Sequence, residues 1–435
     1  MGGDGKIVRT VVVVGNVEPK ALQNLQRVQS AFLEMVHTAV EWGVRGEKYG
    51  YMALYGHFYR AFREEFTWLP ADYIQEALRT AAQVLKSWRE LKKLDVVKKA
   101  RPPRVEKTTV VVHPQYWRLD SDSVQIAVES DGRRCRRVTV EFKAHEHFSR
   151  YYDDPEWELC KELRFKVRRN SVLLYFAFQR EKSEAYEPKG WVSVDINENS
   201  IAFLVNGEVY LLKTGISAIT KDYFWKRRKI QSYYDGKYGR SSRAKRKRMR
   251  KLREKRRKKD WRYKVARLIV TEAYRRRYGI ILEELTLRGV WSMLRHIKNK
   301  KLRLRIARAA FLGIIRAIKE YASLYGVPVV EVNPAYTSRL CPLHGCELKY
   351  DGNRTASCSV GGKVWHREVV GTFNIMKRGG APIPDEPIVP VVIPREVWTR
   401  ARNLNHALEL ARHEKPKAVK LAAKYERYIE ALRKA

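Results

Sequence analysis

Two carboxylates stand where a folded chain tolerates few. Asp195 ends the apolar segment Trp191–Asp195, and Glu283 lies inside another, Ile280–Leu285. A carboxylate turned toward a core is expensive unless it is paired, and a bound cation is one such partner. Hard oxygen ligands gathered in this way suit phosphodiester hydrolysis, in which two Mg²⁺ ions roughly 4 Å apart clamp the attacking water and the leaving oxygen. Taken singly, each acid could cap a strand at a sheet's rim; an ordered pair around a hairpin argues for more. Three of the five cysteines, Cys341, Cys346 and Cys358, crowd into one short segment, which points to metal binding and away from a secreted disulfide framework. The segment 237–262 carries Lys245, Arg246, Lys247, Arg248, Lys255, Arg256, Arg257 and Lys258 against only Glu254 and Asp260. Each of these cations that neutralises a phosphate releases a counterion, so the run contributes affinity for nucleic acid without reading its sequence.

The whole composition points the same way. The chain has 435 residues and a formal net charge of +40, with 44% hydrophobic and 11% aromatic residues. Such a surplus repels itself unless a polyanion neutralises it, so nucleic acid leads as partner. The hydrophobic content excludes disorder for most of the chain, and the length suggests about three domains. Apolar runs such as Val11–Val14 and Val172–Phe178 fall far short of the roughly 20 residues that span a bilayer. With no hydrophobic run after Met1, a soluble intracellular protein is expected.

The elements that must position these residues are legible in the periodicity. A β-branched strand over 6–14 precedes apolar positions Leu22, Leu25, Val28, Phe32, Met35 and Ala39 at helical spacing. Ile74, Leu78, Ala81, Leu85 and Trp88 form a second stripe, which decays into the basic stretch 92–107. The period then switches to two, ending in a hairpin that pairs Leu163, Phe165 and Val167 with Val172, Leu174 and Phe176. These short strands predict a small β-barrel, with the helices inserted after its first strand. After a polar break at 181–190, strands and helices alternate as in an α/β domain, with Asn206-Gly207 as a type I′ hairpin turn. Helices are expected over 264–278 and from about 303 to 325.

An aspartate on a first strand, then a hairpin, then a glutamate on a later strand is the order of an RNase H-like domain. With the Thr337-Ser338 pair before a cysteine knuckle and Asn374-Ile375 after Arg367, the chain resembles the TnpB family of transposon-encoded nucleases, relatives of type V CRISPR effectors. The resemblance implies a multidomain α+β fold. An N-terminal β-barrel wedge domain, 1–185, would carry a helical recognition insertion at about 19–99. A RuvC-like α/β nuclease domain, 190–393, would carry a basic helical insertion at about 217–263 and a zinc-ribbon-like insertion at about 335–365. A charged helical tail, 394–435, would follow. It further implies Asp195, Glu283 and Glu368 as catalytic ligands of two Mg²⁺ ions, and Arg367 as a nucleic-acid contact. A structural Zn²⁺ would rest on Cys341, His344 and Cys358, with Cys346 or His366 as the fourth ligand because Gly361 occupies the expected ligand position. The implied activity is RNA-guided cleavage of double-stranded DNA beside a short adjacent motif, with a guide RNA from the transposon.

Glu368 is one methylene longer than the aspartate of the family's pattern. One alternative is therefore a guide-directed DNA binder with weak or no cleavage, and a second is a structural RNA-binding protein. On the sequence alone, Glu368→Asp is expected to restore the geometry and raise cleavage.

Overall fold

Alternation along the first strand decides the amino-terminal architecture. The computed structural model describes residues 5–93, 102–239, 242–299, 303, 311–351 and 355–413; the expectations for 94–101, most of 300–310 and the tail beyond 413 fall outside them. The chain divides into two compact units, Met1–Glu181 and Lys182–Ala435. In the first, β1 (Lys6–Asn16) turns Val11 and Val13 inward while Val12 and Val14 face outward. Three helices follow before the sheet resumes: α1 (Pro19–Arg45), α2 (Tyr51–Glu65) and α3 (Ala71–Lys93). The two apolar stripes read from the sequence are their buried faces, from Leu25 to Ala39 on α1 and from Ile74 to Trp88 on α3. α1 and α3 pack on each other, so each covers a stripe that water would otherwise solvate.

The strands β2 (Val110–Val112), β3 (Trp117–Asp120), β4 (Ser123–Ser130), β5 (Cys135–Phe142), β6 (Glu158–Val167) and β7 (Val172–Glu181) join β1 in the order β2-β6-β7-β1-β5-β4-β3. Among the described residues the two edges, β2 and β3, do not pair, so the expected barrel is a curled antiparallel sheet. The curl is tight: the Trp117 indole on β3 donates to the Lys161 carbonyl on β6, at 2.9 Å.

The second unit is built on a mixed sheet ordered β12-β11-β8-β9-β10-β16. Here β8 is Trp191–Ile196, β9 Ser200–Val205, β10 Glu208–Lys213, β11 Gly279–Glu283, β12 Val329–Val332 and β16 Val391–Ile393. β8, β9 and β10 form an antiparallel meander, while β11 and β12 run parallel to β8. Asn206 (φ 51°) and Gly207 (φ 74°) make the expected turn, both in the left-handed region that a type I′ hairpin demands. Period-two alternation sorts the sheet's side chains onto two faces. Val192, Val194, Phe203, Ile280 and Leu282 face a core shared with helices Glu254–Arg276 and Phe311–Tyr325. Ala202, Leu204, Leu211 and Ile281 face a second core, shared with helix Arg367–Arg378 and the small sheet of β13 (Lys349–Tyr350), β14 (Thr355–Ser357) and β15 (Val364–His366). The basic segment folds as helices Ile216–Tyr238 and Arg243–Lys251 followed by the Glu254–Arg276 helix, inserted between β10 and β11. No helix among the described residues is long and apolar enough to cross a membrane.

Candidate active site and metal centre

Parity places the carboxylates. Asp195 alternates with Val194 and Glu283 with Leu282, so both leave the Val194 face and point to the side covered by helix Arg367–Arg378. The parallel register Gly279↔Trp191 through Leu282↔Val194 carries Glu283 to the end of β11 beside Asp195. Glu368 sits in the first turn of the covering helix and is 2% exposed. The helix comes down close because position 371 is glycine, where a Cβ would overlap Asp195 Oδ2. Ser193 on β8 ties the helix down by donating its hydroxyl to the Thr372 carbonyl at 2.7 Å.

Electrostatics show how closely these groups sense one another. Burial, then the neighbouring Glu283 and Glu368 charges, push the Asp195 carboxyl up to about 8, against the opposing Asn197 hydrogen bond and the Arg367 charge. Burial also raises Glu283, opposed by the Thr337 hydroxyl and by Arg378. Three acids sharing a desolvated pocket cannot all ionise cheaply without cations, so the donor set fits divalent metal.

Several residues that the sequence did not single out as site residues complete the pocket. Asn197 Nδ2 donates to Asp195 Oδ2 at 2.7 Å, and Thr337 Oγ1 donates to Glu283 Oε1 at 2.6 Å. Asn374 Nδ2 donates to the carbonyls of Thr337 and Leu340, both at 2.8 Å, so the helix also anchors the loop that holds Glu283. Thr337 and Asn374 were visible as parts of a motif, whereas Asn197 had only its place two residues past a strand-end aspartate. Tyr350, from the small sheet, lies near Arg367, Glu368 and Asp195, and the raised pKa of its phenol, due first to burial, registers their charges.

The expectation for Glu368→Asp changes here. Ser200 Oγ donates to Glu368 Oε1 at 3.4 Å, and His366 Nδ1 lies 3.0 Å from Oε2. One oxygen accepts from Ser200 and the other lies beside the His366 ring, so shortening the acid withdraws it from both.

The cysteine segment forms a second cluster. The sulfurs of Cys341, Cys346 and Cys358 lie within 4.8 Å of one another, and His344 Nδ1 is 3.5 Å from Cys341 Sγ and 3.2 Å from Cys358 Sγ. Burial works to raise the Cys358 thiol, but the Gly361 and Val360 N–H groups and the Cys346 and Cys341 thiols outweigh it and bring it to about 6. A thiol ionised near neutrality is a ready metal ligand. Three sulfurs and one imidazole fit tetrahedral Zn²⁺. Of the two candidates for the fourth ligand, Cys346 lies in the cluster. His366 instead faces Glu368 in the carboxylate pocket. Gly361 has a steric reason, since a Cβ there would overlap the His344 ring. The geometry thus offers Cys346 as the candidate in place of a ligand at 361. We expect about one Zn²⁺ per chain by plasma mass spectrometry, falling to less than about half in Cys346→Ser and unchanged in His366→Asn.

The basic residues are not equivalent. Lys245 pairs with Asp235, Lys258 with Glu254 at 2.7 Å, and Arg257 donates to the Tyr223 hydroxyl at 2.8 Å. Arg246, Lys247, Arg248, Lys255 and Arg256 are exposed, and the described residues include no acidic partner for them. Arg367 is exposed beside the carboxylates, with its guanidinium 5.8 Å from the Tyr350 ring centroid.

Comparison with known proteins joins these pieces. The Cas12f1-like TNB domain family model matches residues 311–375, and the model of the uncharacterized protein MJ0013 family matches residues 28–127. The TnpB-like protein MJ0751 of Methanocaldococcus jannaschii is 27% identical over 226 residues, covering 49% of this chain and 76% of that protein. The TnpB-like protein MJ1635 of the same organism is 35% identical over 85 residues, covering 20% of this chain and 19% of that one. In fold, the chain is similar to the protein in a cryo-EM structure of a Cas12f1–sgRNA–target DNA complex, with a TM-score of 0.52 at 13% identity, covering 85% of this chain and 98% of that one. A domain match that runs through the cysteine cluster into the carboxylate-bearing helix agrees with the TnpB-like relatives, and the chain is similar to TnpB-like proteins in sequence and to a Cas12f1 protein in fold.

Proposed function

We propose that the protein is an RNA-guided DNA endonuclease of a transposable element, which takes a guide RNA from that element and cleaves target DNA beside a short adjacent motif. The observation that carries this reading is the convergence of Asp195, Glu283 and Glu368 on one buried pocket, where the Glu283 and Glu368 charges oppose ionisation of Asp195. Asp195, Glu283 and Glu368 would hold two Mg²⁺ ions, which when bound supply an activated water and offset charge on the leaving oxygen. The chain itself sets the positions: Asn197 orients Asp195, Thr337 orients Glu283, and Ser200 and His366 flank Glu368. Arg367, exposed at the pocket's edge, is placed to meet the phosphate of an incoming strand. The relative in the Cas12f1 complex is described with a guide RNA and target DNA, which supports the same partner classes here.

The test is to co-express the gene with its flanking non-coding sequence, sequence the RNA that purifies with the protein, and assay DNA cleavage in Mg²⁺. One dominant species encoded beside the gene, required for cutting, is expected. A random sample of cellular RNA would sink the guide assignment and leave an RNA-binding protein.

The exposed cations give a separate expectation. Replacing Lys247, Arg248, Lys255 and Arg256 with Ala will weaken binding to every sequence alike and reduce the slope of log K against log[salt] by roughly 3 to 4, at about 0.9 per phosphate contact. Lys245→Ala and Lys258→Ala will change it little, because those ammonium groups are already paired. Equal slopes in the quadruple variant and the native protein would mean that the run does not touch the backbone.

A further inference from the structure

A cavity of about 380 Å³ opens in the second unit where the first turn of helix Ile216–Tyr238 meets helix Glu254–Arg276 and Arg395. The helix that begins there has Gly215 as its N-cap, in the left-handed region at φ 60°, with no side-chain cap and no acidic residue in its first turn. Its N–H groups and the positive end of its dipole are therefore left to an anion. Arg395 lines the same space, beside Arg257, which donates to the Tyr223 hydroxyl, and Lys258, which is paired with Glu254 at 2.7 Å. Arg395 has no acidic partner among the described residues, and the cavity's one acid, Asp222, is engaged by Lys226 at 2.7 Å. The inner wall is aromatic, formed by Tyr223 and Trp261. Trp261 is 6% exposed, and its indole N–H has no hydrogen-bond partner among the described residues, a donor that costs free energy until an acceptor arrives.

We propose that this cavity binds a nucleotide phosphate, with the phosphate between the helix N-terminus and Arg395 and the sugar or base against Tyr223 and Trp261. A bare inorganic anion would leave most of the volume and the aromatic wall unused. The nucleotide is either free or one unit of a bound strand, and the phosphate-plus-base chemistry is common to both. None of the residues involved belongs to the carboxylate pocket, so the proposal does not depend on cleavage.

The experiment uses the full chain stripped of nucleic acid by nuclease and high salt, with 4-thiouridine 5′-monophosphate as a photo-crosslinking probe and peptide mapping of the adducts. Saturable labelling within 216–223 or 257–261 is expected, with uridine competing far less well than uridine monophosphate. Arg395→Gln should reduce labelling at sub-saturating probe about 10-fold, the loss of one charge-assisted contact, while Arg395→Lys keeps most of it. An oligouridylate that displaces the probe at lower concentration than the mononucleotide assigns the site to a strand; one that competes no better assigns it to free nucleotide. Labelling spread over 245–259 and indifferent to Arg395→Gln would overturn the proposal, as would uridine competing as well as its monophosphate. Asp195→Asn protein should label like the native chain, so failure of the nuclease reading and failure of this one remain distinguishable.

Discussion

Replacing Asp195 with asparagine will lower DNA cleavage at least about a thousandfold while guided DNA binding stays within about threefold of native. A metal ligand at the reacting phosphate supplies several kcal/mol to the transition state, and each 1.36 kcal/mol is tenfold in rate. Affinity, by contrast, comes from a long heteroduplex and its backbone contacts. The same substitution should stabilise the metal-free protein. Asp195 holds its proton up to about pH 8 when folded, against an ordinary value of 3.8, so the unfolded chain loses that proton first. Stability of the metal-free protein therefore falls as pH rises from about 4 to about 8, and Asp195→Asn flattens that dependence. Cleavage assays, filter binding and thermal melts across this range on one preparation check all three parts. If cutting and binding fall together in a well-folded variant, Asp195 is structural and the nuclease assignment loses its centre.

Glu368→Asp will lower cleavage by roughly 10- to 100-fold, and Glu368→Ala will lower it further. The family's pattern taken alone leads to the opposite expectation, because its third acid is an aspartate. The pocket has been rebuilt around the longer side chain: Ser200 meets one oxygen at 3.4 Å and His366 lies 3.0 Å from the other, in a site where Glu368 is 2% exposed. His366, two residues before Glu368, is the group that lies beside it. Withdrawing the carboxylate by about 1 Å breaks these contacts and misplaces a ligand, which costs about 100-fold in comparable sites. Rates of the native protein and of the Asp, Gln and Ala variants, at saturating guide in Mg²⁺ and in Mn²⁺, decide it. A faster Asp variant would show that the pocket is still tuned to the shorter acid.

The sequence by itself determined the elements and their faces, because periodicity is a local property. The stripes on α1 and α3, the Asn206-Gly207 turn and the apolar strands carrying Asp195 and Glu283 follow from residues a few positions apart. Charge balance likewise needed no coordinates to point to nucleic acid as the expected partner. What only the tertiary structure decided are relations between residues far apart in the chain. Strand order left β2 and β3 as unpaired edges and made a curled sheet of the expected barrel. Among the cations singled out in the basic run, Lys245, Arg257 and Lys258 proved to be engaged within the protein, which composition cannot register. The fourth sulfur-site ligand was ambiguous between Cys346 and His366 because both lie within reach along the chain. Packing separates the two: the His344 ring fills the space at Gly361, Cys346 closes on Cys358 at 3.4 Å, and His366 is carried on the end of β15 to Glu368. Long-range contacts of this kind depend on the summed geometry of sheet register, helix approach and side-chain volume, none of which a window of sequence contains.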